Sequence, residues 1–274
     1  MRAMKPADPL RIFDPLAVRR HRARAVRLGL GAEFLFERAA ADLAERLGEI
    51  KRHFPAALDL GCRGGVMARA LASRADLGRL VSADPSEALA RRAPRPVVVL
   101  DLEALPFAPR SFDLVLSPLL LHWVNDLPGT LLQVRRMLKP GGLLLAMLFG
   151  GETLGALHAA LIEAELESAG GASPRVSPFA DLRDLGGLLQ RAGFVEPVVD
   201  GDRTDVDYAD AFALMRDLRA MGETNAQRER RQSLTRRGTL ARAAALYRDR
   251  ATAPDGRVVA TFQTINLTAW APPG

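Results

Sequence analysis

Gly61-Cys62-Arg63-Gly64-Gly65 follows the apolar run Ala57-Leu58-Asp59-Leu60, and an alanine-rich helical pattern begins at Val66. Glycines at a strand-to-helix turn let the backbone approach a ligand, and the helix N-terminus beyond offers unpaired N–H groups. Asp59, Gly61, Arg63 and Gly65 are the candidate binding residues of this turn. A second apolar run, Leu80-Val81-Ser82-Ala83, stops at Asp84, about twenty residues further on, where a carboxylate accepts from the two hydroxyls of a ribose. Asp84-Pro85-Ser86 would equally open a helix with the acid at its N-cap. After a strand at residues 96–100, Asp101 is placed to accept from an exocyclic adenine amine, with the Leu102 N–H donating to a ring nitrogen. A surface turn closed by Pro106 is the alternative there. Ser117 ends the next buried run, Phe112-Asp113-Leu114-Val115-Leu116, and joins the binding set.

His122 lies just past that fourth strand, at the edge where ligands bind. It is a candidate catalytic residue, as a base or as a group that orients a substrate. The competing reading is a histidine packed beside Trp123 with one ring nitrogen satisfied. None of His21, His53, His122 or His158 starts the H-x-D or H-x-E pattern of a two-His-one-carboxylate iron site. No cysteine cluster for iron–sulfur chemistry exists either, since Cys62 is the only cysteine. No metal ligands are therefore assigned, and no oxidant is legible in the chain.

These residues need an alternating βα framework to hold them, and the periodicity supplies one. An amphipathic helix is expected over residues 33–50, with Phe34, Leu35, Ala39, Leu43 and Leu47 on or near one stripe. The αβ core follows, with Leu138-Lys139-Pro140-Gly141-Gly142 ending a helix and leading into a strand at residues 143–149. Residues 153–170 and 179–192 read as helices, with Gly193 ending the second. A sixth strand is expected at residues 194–199 and a terminal strand at 261–270. The long segment between them carries an amphipathic helix (Ala211, Phe212, Leu214, Met215, Leu218) and a basic helix around residues 236–247. Four regions result: a basic arm and helix (1–52), a core (53–200), a helical cap (201–258) and a final strand with its tail (259–274). An insertion near the open end of a parallel sheet is well placed to cap a substrate site.

The glycine turn, the ribose acid, Asp101 with Leu105-Pro106-Phe107, and Leu138-Lys139-Pro140-Gly141-Gly142 come in an order that resembles class I S-adenosylmethionine-dependent methyltransferases. The resemblance covers about residues 54–150. A NAD-type dinucleotide domain is the competitor, and its G-x-G-x-x-G is absent. The resemblance implies an α/β, Rossmann-like, mainly parallel seven-stranded sheet with helices on both faces, and S-adenosyl-L-methionine as cofactor. One departure is Arg63, where the superfamily usually has glycine. Arginine is costly there if the backbone needs positive φ, although it also brings a cation near the ligand carboxylate.

The second half narrows the resemblance. His122-Trp123-Val124-Asn125-Asp126, Phe149-Gly150-Gly151-Glu152-Thr153-Leu154, Ser177-Pro178-Phe179, Asp184-Leu185-Gly186 and Ala192-Gly193-Phe194 carry it through the core. Leu214-Met215-Arg216-Asp217-Leu218, Met221-Gly222-Glu223-Thr224-Asn225 and Ala260-Thr261-Phe262-Gln263 continue it to the end. Together these resemble the complex I assembly factors that hydroxylate an arginine on an iron–sulfur subunit, across about residues 12–270. That resemblance implies a protein substrate, the iron–sulfur subunit of complex I. For an arginyl substrate, a carboxylate pair is the expected clamp. Glu152 and Glu223 are the candidates, with Asp217 behind them; Glu152 also suits the N-terminus of the following helix. The malonyl-acyl-carrier-protein methyltransferases of biotin synthesis share the Leu-Met-Arg-Asp and Gly-x-x-Asn pieces. Methyl transfer and hydroxylation both stay open, and a non-catalytic assembly chaperone is the third expectation.

Composition sets outer bounds. The chain has 274 residues, 48% of them apolar, and one cysteine. That is enough for a proper core, excludes an intrachain disulfide and suits a reducing compartment. No apolar run reaches about 18 residues, so no transmembrane helix is expected. Any contact with a membrane surface would come through the substrate complex. The formal charge of +6 is interspersed with acids, so DNA is not an expected partner. The exception is the arm, where Arg11, Arg19, Arg20, Arg22, Arg24 and Arg27 face only Asp8 and Asp14. The arm lacks a secretory pattern. The expectation is a bacterial cytoplasmic protein whose arm folds over the cofactor or a partner.

Overall fold

The computed structural model describes residues 11–274 except Leu30 and Ala180; residues 1–10, with Asp8 of the basic arm, lie outside the described residues. Strands β1 (Phe54–Leu60), β2 (Leu77–Asp84), β3 (Val97–Val99), β4 (Phe112–Pro118) and β5 (Leu138–Phe149) pair in parallel. β6 (Val195–Tyr208) and β7 (Val258–Trp270) complete a seven-stranded sheet of order β3-β2-β1-β4-β5-β7-β6, with β7 antiparallel to both neighbours. Every residue of β4 is buried, as a central parallel strand covered on both faces requires. The chain's winding reverses between β1 and β4, which puts the ligand crevice at the C-terminal ends of these strands.

Helices α1 (Pro15–Arg27), α2 (Phe34–Gly48), α3 (Val66–Ala70), α4 (Glu87–Ala90) and α5 (Leu127–Met137) belong to the arm and core. They are followed by α6 (Gly155–Ala169), α7 (Leu182–Arg191), α8 (Ala211–Met221) and α9 (Arg237–Ala251). One core face gathers Phe36, Leu43, Leu47, Met67, Tyr247 and Phe262; the other gathers Leu58, Leu60, Leu120, Leu131, Leu185 and Leu267. The stripe predicted for α2 forms with one exchange. Phe34 is 37% exposed and Phe36 is completely buried, because the helix starts at Phe34 and the i, i+3, i+4 spacing runs through Phe36, Ala39, Ala40 and Leu43.

Two further elements differ from expectation. β6 runs through Tyr208 rather than ending near Val199, because residues 201–208 pair with residues 258–265 of β7. The helical part of the insertion therefore starts at Ala211. In the Leu-Lys-Pro-Gly-Gly segment, α5 stops at Met137, Leu138 is already extended, and Gly141 adopts φ 68°. The β4–β5 register shifts between Phe112 and Leu114, so the glycines serve an irregular strand start rather than the helix end.

The arm docks through identifiable contacts. Asp14 caps α1, accepting from the Leu16 N–H, and Pro15 opens the helix. The Asp14 N–H donates to the Ala226 carbonyl at 2.8 Å and the Arg228 N–H to the Ile12 carbonyl at 2.8 Å. Phe13 meets Trp123 edge-on at 5.3 Å. α1 also packs against α4 and α8, which lays it across the crevice.

Candidate functional site

The glycine turn is a run of left-handed backbone: Gly61, Gly64 and Gly65 have φ of 99°, 71° and 89°, and Arg63 has φ 43°. A Cβ at Gly61 would lie 2.7 Å from Leu120 and one at Gly65 would lie 2.8 Å from Pro94, so both positions are fixed by the protein's own packing. At Arg63 the left-handed backbone costs on the order of 1–2 kcal/mol, and the side chain offsets it. Its guanidinium lies 3.3 Å above the Phe36 ring, donates to the Met221 carbonyl at 2.6 Å and approaches Glu33 at 3.3 Å. Burial and the nearby Arg22 charge bring the Arg63 pKa down to about 10. The expected cation for a ligand carboxylate is therefore spent: Arg63 is fully buried and ties the turn to α2 and α8.

Asp84, the predicted ribose acid, is equally engaged. Arg22 of α1 donates to it through Nε at 3.2 Å and Nη2 at 2.6 Å, and the backbone N–H groups of Ser86 and Arg63 donate at 2.8 and 3.1 Å. Both side chains are essentially inaccessible, at 1% and 0%. Burial works against the Arg22 charge, and the Asp84 carboxylate more than offsets it, raising the Arg22 pKa above its ordinary value. The alternative N-cap role does not form, since α4 has Ser86 at its N-cap.

Asp59 is different. Both carboxylate oxygens are buried without a partner, as are the hydroxyls of Ser82 and Ser86. Burial, reinforced by the Asp84 charge, pushes the Asp59 carboxyl well above the usual carboxylate range. Asp101 is exposed, with Arg19 at 3.6 Å, and its Oδ1 accepts from the Glu103 N–H. Leu102 is buried beside it, in a small depression that α1 closes through Pro15, Val18 and Arg19. Ser117 is corrected to a structural role: its hydroxyl is buried and donates to the Leu60 carbonyl at 2.9 Å. Cys62 is buried in the same turn, where burial pushes its thiol pKa up.

A second site opens beside this crevice. A cavity of about 490 Å³ lies between α1, α6, α8 and the segment before α7, with Trp123, Phe149, Phe179 and Glu223 in its wall. Glu223 Oε2 accepts from Trp123 Nε1 at 2.9 Å and lies 3.1 Å from His122 Nε2. Glu223 Oε1 and His122 Nδ1 are buried with no partner. Burial alone would raise the Glu223 pKa. The His122 hydrogen bond, with the charges of His122, Arg63 and Arg22, brings it below the ordinary value. His122 also packs among Phe149, Trp123 and Phe179 at ring distances of 4.9, 5.3 and 6.0 Å. His122 is thus packed with one ring nitrogen engaged, and that nitrogen meets the cavity's acid.

The other two predicted substrate acids are elsewhere. Glu152 is exposed, in a separate depression with Arg203 and Tyr247, because Gly150 stays bonded to the Gln263 carbonyl and carries the turn past the cavity. Asp217 faces Tyr208, whose hydroxyl pKa is raised by burial and then by the Asp217 charge. Of the three, only Glu223 meets His122. Sequence reasoning missed Arg22 as the partner of Asp84, and it missed His21, Arg24 and Thr224, which share hydrogen bonds at the cavity edge. The surplus of arginine in the arm was the one available signal. Among the described residues no group of three His, Cys, Asp or Glu side chains gathers to hold a metal.

Comparison with known proteins gives the family. A family described as a methyltransferase domain matches residues 58–146. The human mitochondrial arginine-hydroxylase NDUFAF5 is 42% identical over 268 residues, covering 95% of this chain and 77% of its own length. A malonyl-[acyl-carrier protein] O-methyltransferase from Halorhodospira halophila is 39% identical over 245 residues, covering 86% and 81%. Phosphoethanolamine N-methyltransferase 2 from Haemonchus contortus, solved with S-adenosyl-L-methionine, shares the fold at a TM-score of 0.52 and 18% identity, over 89% of this chain and 56% of that one.

Proposed function

The chain belongs to the class I methyltransferase superfamily, in the branch that holds the arginine hydroxylases and the malonyl-carrier-protein O-methyltransferases, and from that membership we propose that it modifies a protein side chain as an arginine-hydroxylase-like assembly factor for respiratory complex I. The observation that carries this is the extent of the likeness. Identity of 42% spans 95% of the chain, so it includes the arm and the cap that build the cavity. The substrate on this reading is an arginine of an iron–sulfur subunit, and the setting is the bacterial cytoplasm.

S-adenosyl-L-methionine is the cofactor this reading calls for, and the residues fit it with one condition. The unspent acceptors and hydroxyls of Asp59, Ser82 and Ser86 suit a ligand rich in N–H and O–H donors. Asp84 stands at the end of β2, where a ribose would meet it, once Arg22 has left. When bound, the sulfonium supplies an electrophilic methyl group. The chain's own contribution is positioning: Glu223 Oε1 accepts from a guanidinium, and His122 and Trp123 hold that carboxylate charged and fixed.

A second reading is methyl transfer to a carboxylate of a carrier protein, and one feature favours it: the cavity edge holds Arg24 and Arg219, which have no carboxylate partner among the described residues. Mass spectrometry of the iron–sulfur subunit from wild-type and deletion strains separates the readings. A change of about +16 Da lost on deletion supports hydroxylation, and one of about +14 Da supports methylation. An unchanged mass removes the enzymatic reading for this substrate and favours the chaperone.

A further inference from the structure

The cavity wall is unevenly charged. Among the described residues Arg24, Arg175, Arg219, Arg230 and Arg231 line it, against Glu223 as the single acid. Three of these cations have carboxylate partners: Arg175 and Arg231 share Glu165, and Arg230 pairs with Asp14 at 3.1 Å. Among the described residues Arg24 and Arg219 have no carboxylate partner. Arg24 Nη2 donates to Thr224 Oγ1 at 2.7 Å, while its Nε is buried with no acceptor. The charges of Arg219 and Arg27 stand close enough to depress the Arg24 pKa, after burial itself. His21, hydrogen-bonded to Thr224, is neutral at pH 7 and supplies no counter-charge. A like-charged pair with an orphaned N–H at the rim of a cavity costs stability in the free protein. An incoming anion with an apolar stem removes that cost, since Phe179, Met215 and Leu218 form the adjoining wall.

We propose that the cavity contains a carboxylate subsite formed by Arg24 and Arg219, so that its substrate presents an acidic group together with the group that reaches Glu223. The proposal rests on the cavity being the substrate site of the function inferred above. The carboxylate has two possible sources: an acidic residue flanking the target in a protein, or the free end of a carrier-bound malonyl group.

Binding without turnover tests it, on the full chain, by fluorescence polarisation. One probe pair is a labelled Gly-Glu-Arg-Glu-Gly peptide and its Gly-Gln-Arg-Gln-Gly counterpart; the other is malonyl-pantetheine and its methyl ester, used as competitors. The acidic member of at least one pair should bind about ten-fold more tightly, and which pair does so identifies the source. That preference should shrink to under about three-fold in Arg219→Gln and persist in Arg248→Gln, an exposed arginine of α9. Arg24→Gln adds to the effect, while the exposed Arg219 carries the test alone if the Arg24 variant does not fold. Equal binding within both pairs, or a preference unchanged in Arg219→Gln, overturns the proposal. The subunit mass measurement is independent: a missing mass change with the carboxylate preference intact removes the hydroxylase reading and leaves the subsite.

Discussion

A carboxylate that already accepts four hydrogen bonds has little left for a ligand, and Asp84 is in that state. Its worth is best measured by breaking the pair from the acid's side. Asp84→Asn leaves the Arg22 guanidinium buried without a counter-charge, so urea denaturation should show a loss of about 3–5 kcal/mol; a loss under about 1 kcal/mol would mean the pair is open in solution. At Arg63 two effects oppose each other. Arg63→Gly relieves a strained φ but deletes the Phe36 stack and the Met221 bond and leaves the half-buried Glu33 with only the more distant Arg69. The lost contacts outweigh the strain, and the variant should be less stable by about 1–3 kcal/mol. His21 adds a pH dependence. Burial and then the Arg24 charge lower its pKa from 6.5 to about 4, so the unfolded chain takes up this proton first as the solution is acidified. The contribution to stability is complete above about pH 6.5 and is lost as pH falls toward 4. His21→Gln should flatten the decline of Tm across that window, and an unaltered slope would assign the acid sensitivity elsewhere.

Helix α1 is the element on which the crevice turns. It carries Arg22 to Asp84 and Arg24, two residues on, to the cavity edge. If Asp84 receives the ribose as proposed, the sugar and the Arg22 guanidinium compete for the same oxygens, and cofactor affinity is reduced by whatever holds α1 down. Arg22→Gln should therefore lower the Tm of the free protein and enlarge the thermal shift produced by S-adenosylhomocysteine. A smaller shift than in wild type would mean that Arg22 binds the ligand rather than excluding it. The strands and the glycine turn were legible because apolar runs end at glycine or acid, and those signals are local. The outer half of β6 was not, since Gly201-Asp202-Arg203-Thr204-Asp205 has no apolar run and is held by pairing with β7. The Arg22–Asp84 pair joins residues 62 apart, and no local pattern encodes which arm arginine reaches inward. Glu223 was legible as an acid of the cap, whereas the placement of Glu152 depends on how the turn after β5 leaves the sheet.

At the scale of the whole molecule the arm fastens three parts together. Phe13 donates its N–H to Asn125 Oδ1 of the core at 2.7 Å, Asp14 and Ile12 bond to the cap at Ala226 and Arg228, and Arg22 reaches the sheet edge. Opening the crevice by moving α1 must then break contacts that also frame the cavity, so ligands of the two proposed sites would be thermodynamically coupled through one element. Whether the helix moves as a body or Arg22 swings alone is decided by a residue remote from Asp84. Asp14 holds the N-terminus of α1 by capping Leu16 and by pairing with Arg230. Asp14→Ala removes a cap worth about 1 kcal/mol and a partly exposed ion pair worth about 0.5 kcal/mol. If entry requires the arm to lift, that change in opening free energy should speed association of S-adenosylhomocysteine by about ten-fold, seen in stopped-flow quenching of Trp123, which lies against Phe13. An association rate equal to that of wild type would show that the guanidinium withdraws from Asp84 while α1 stays docked.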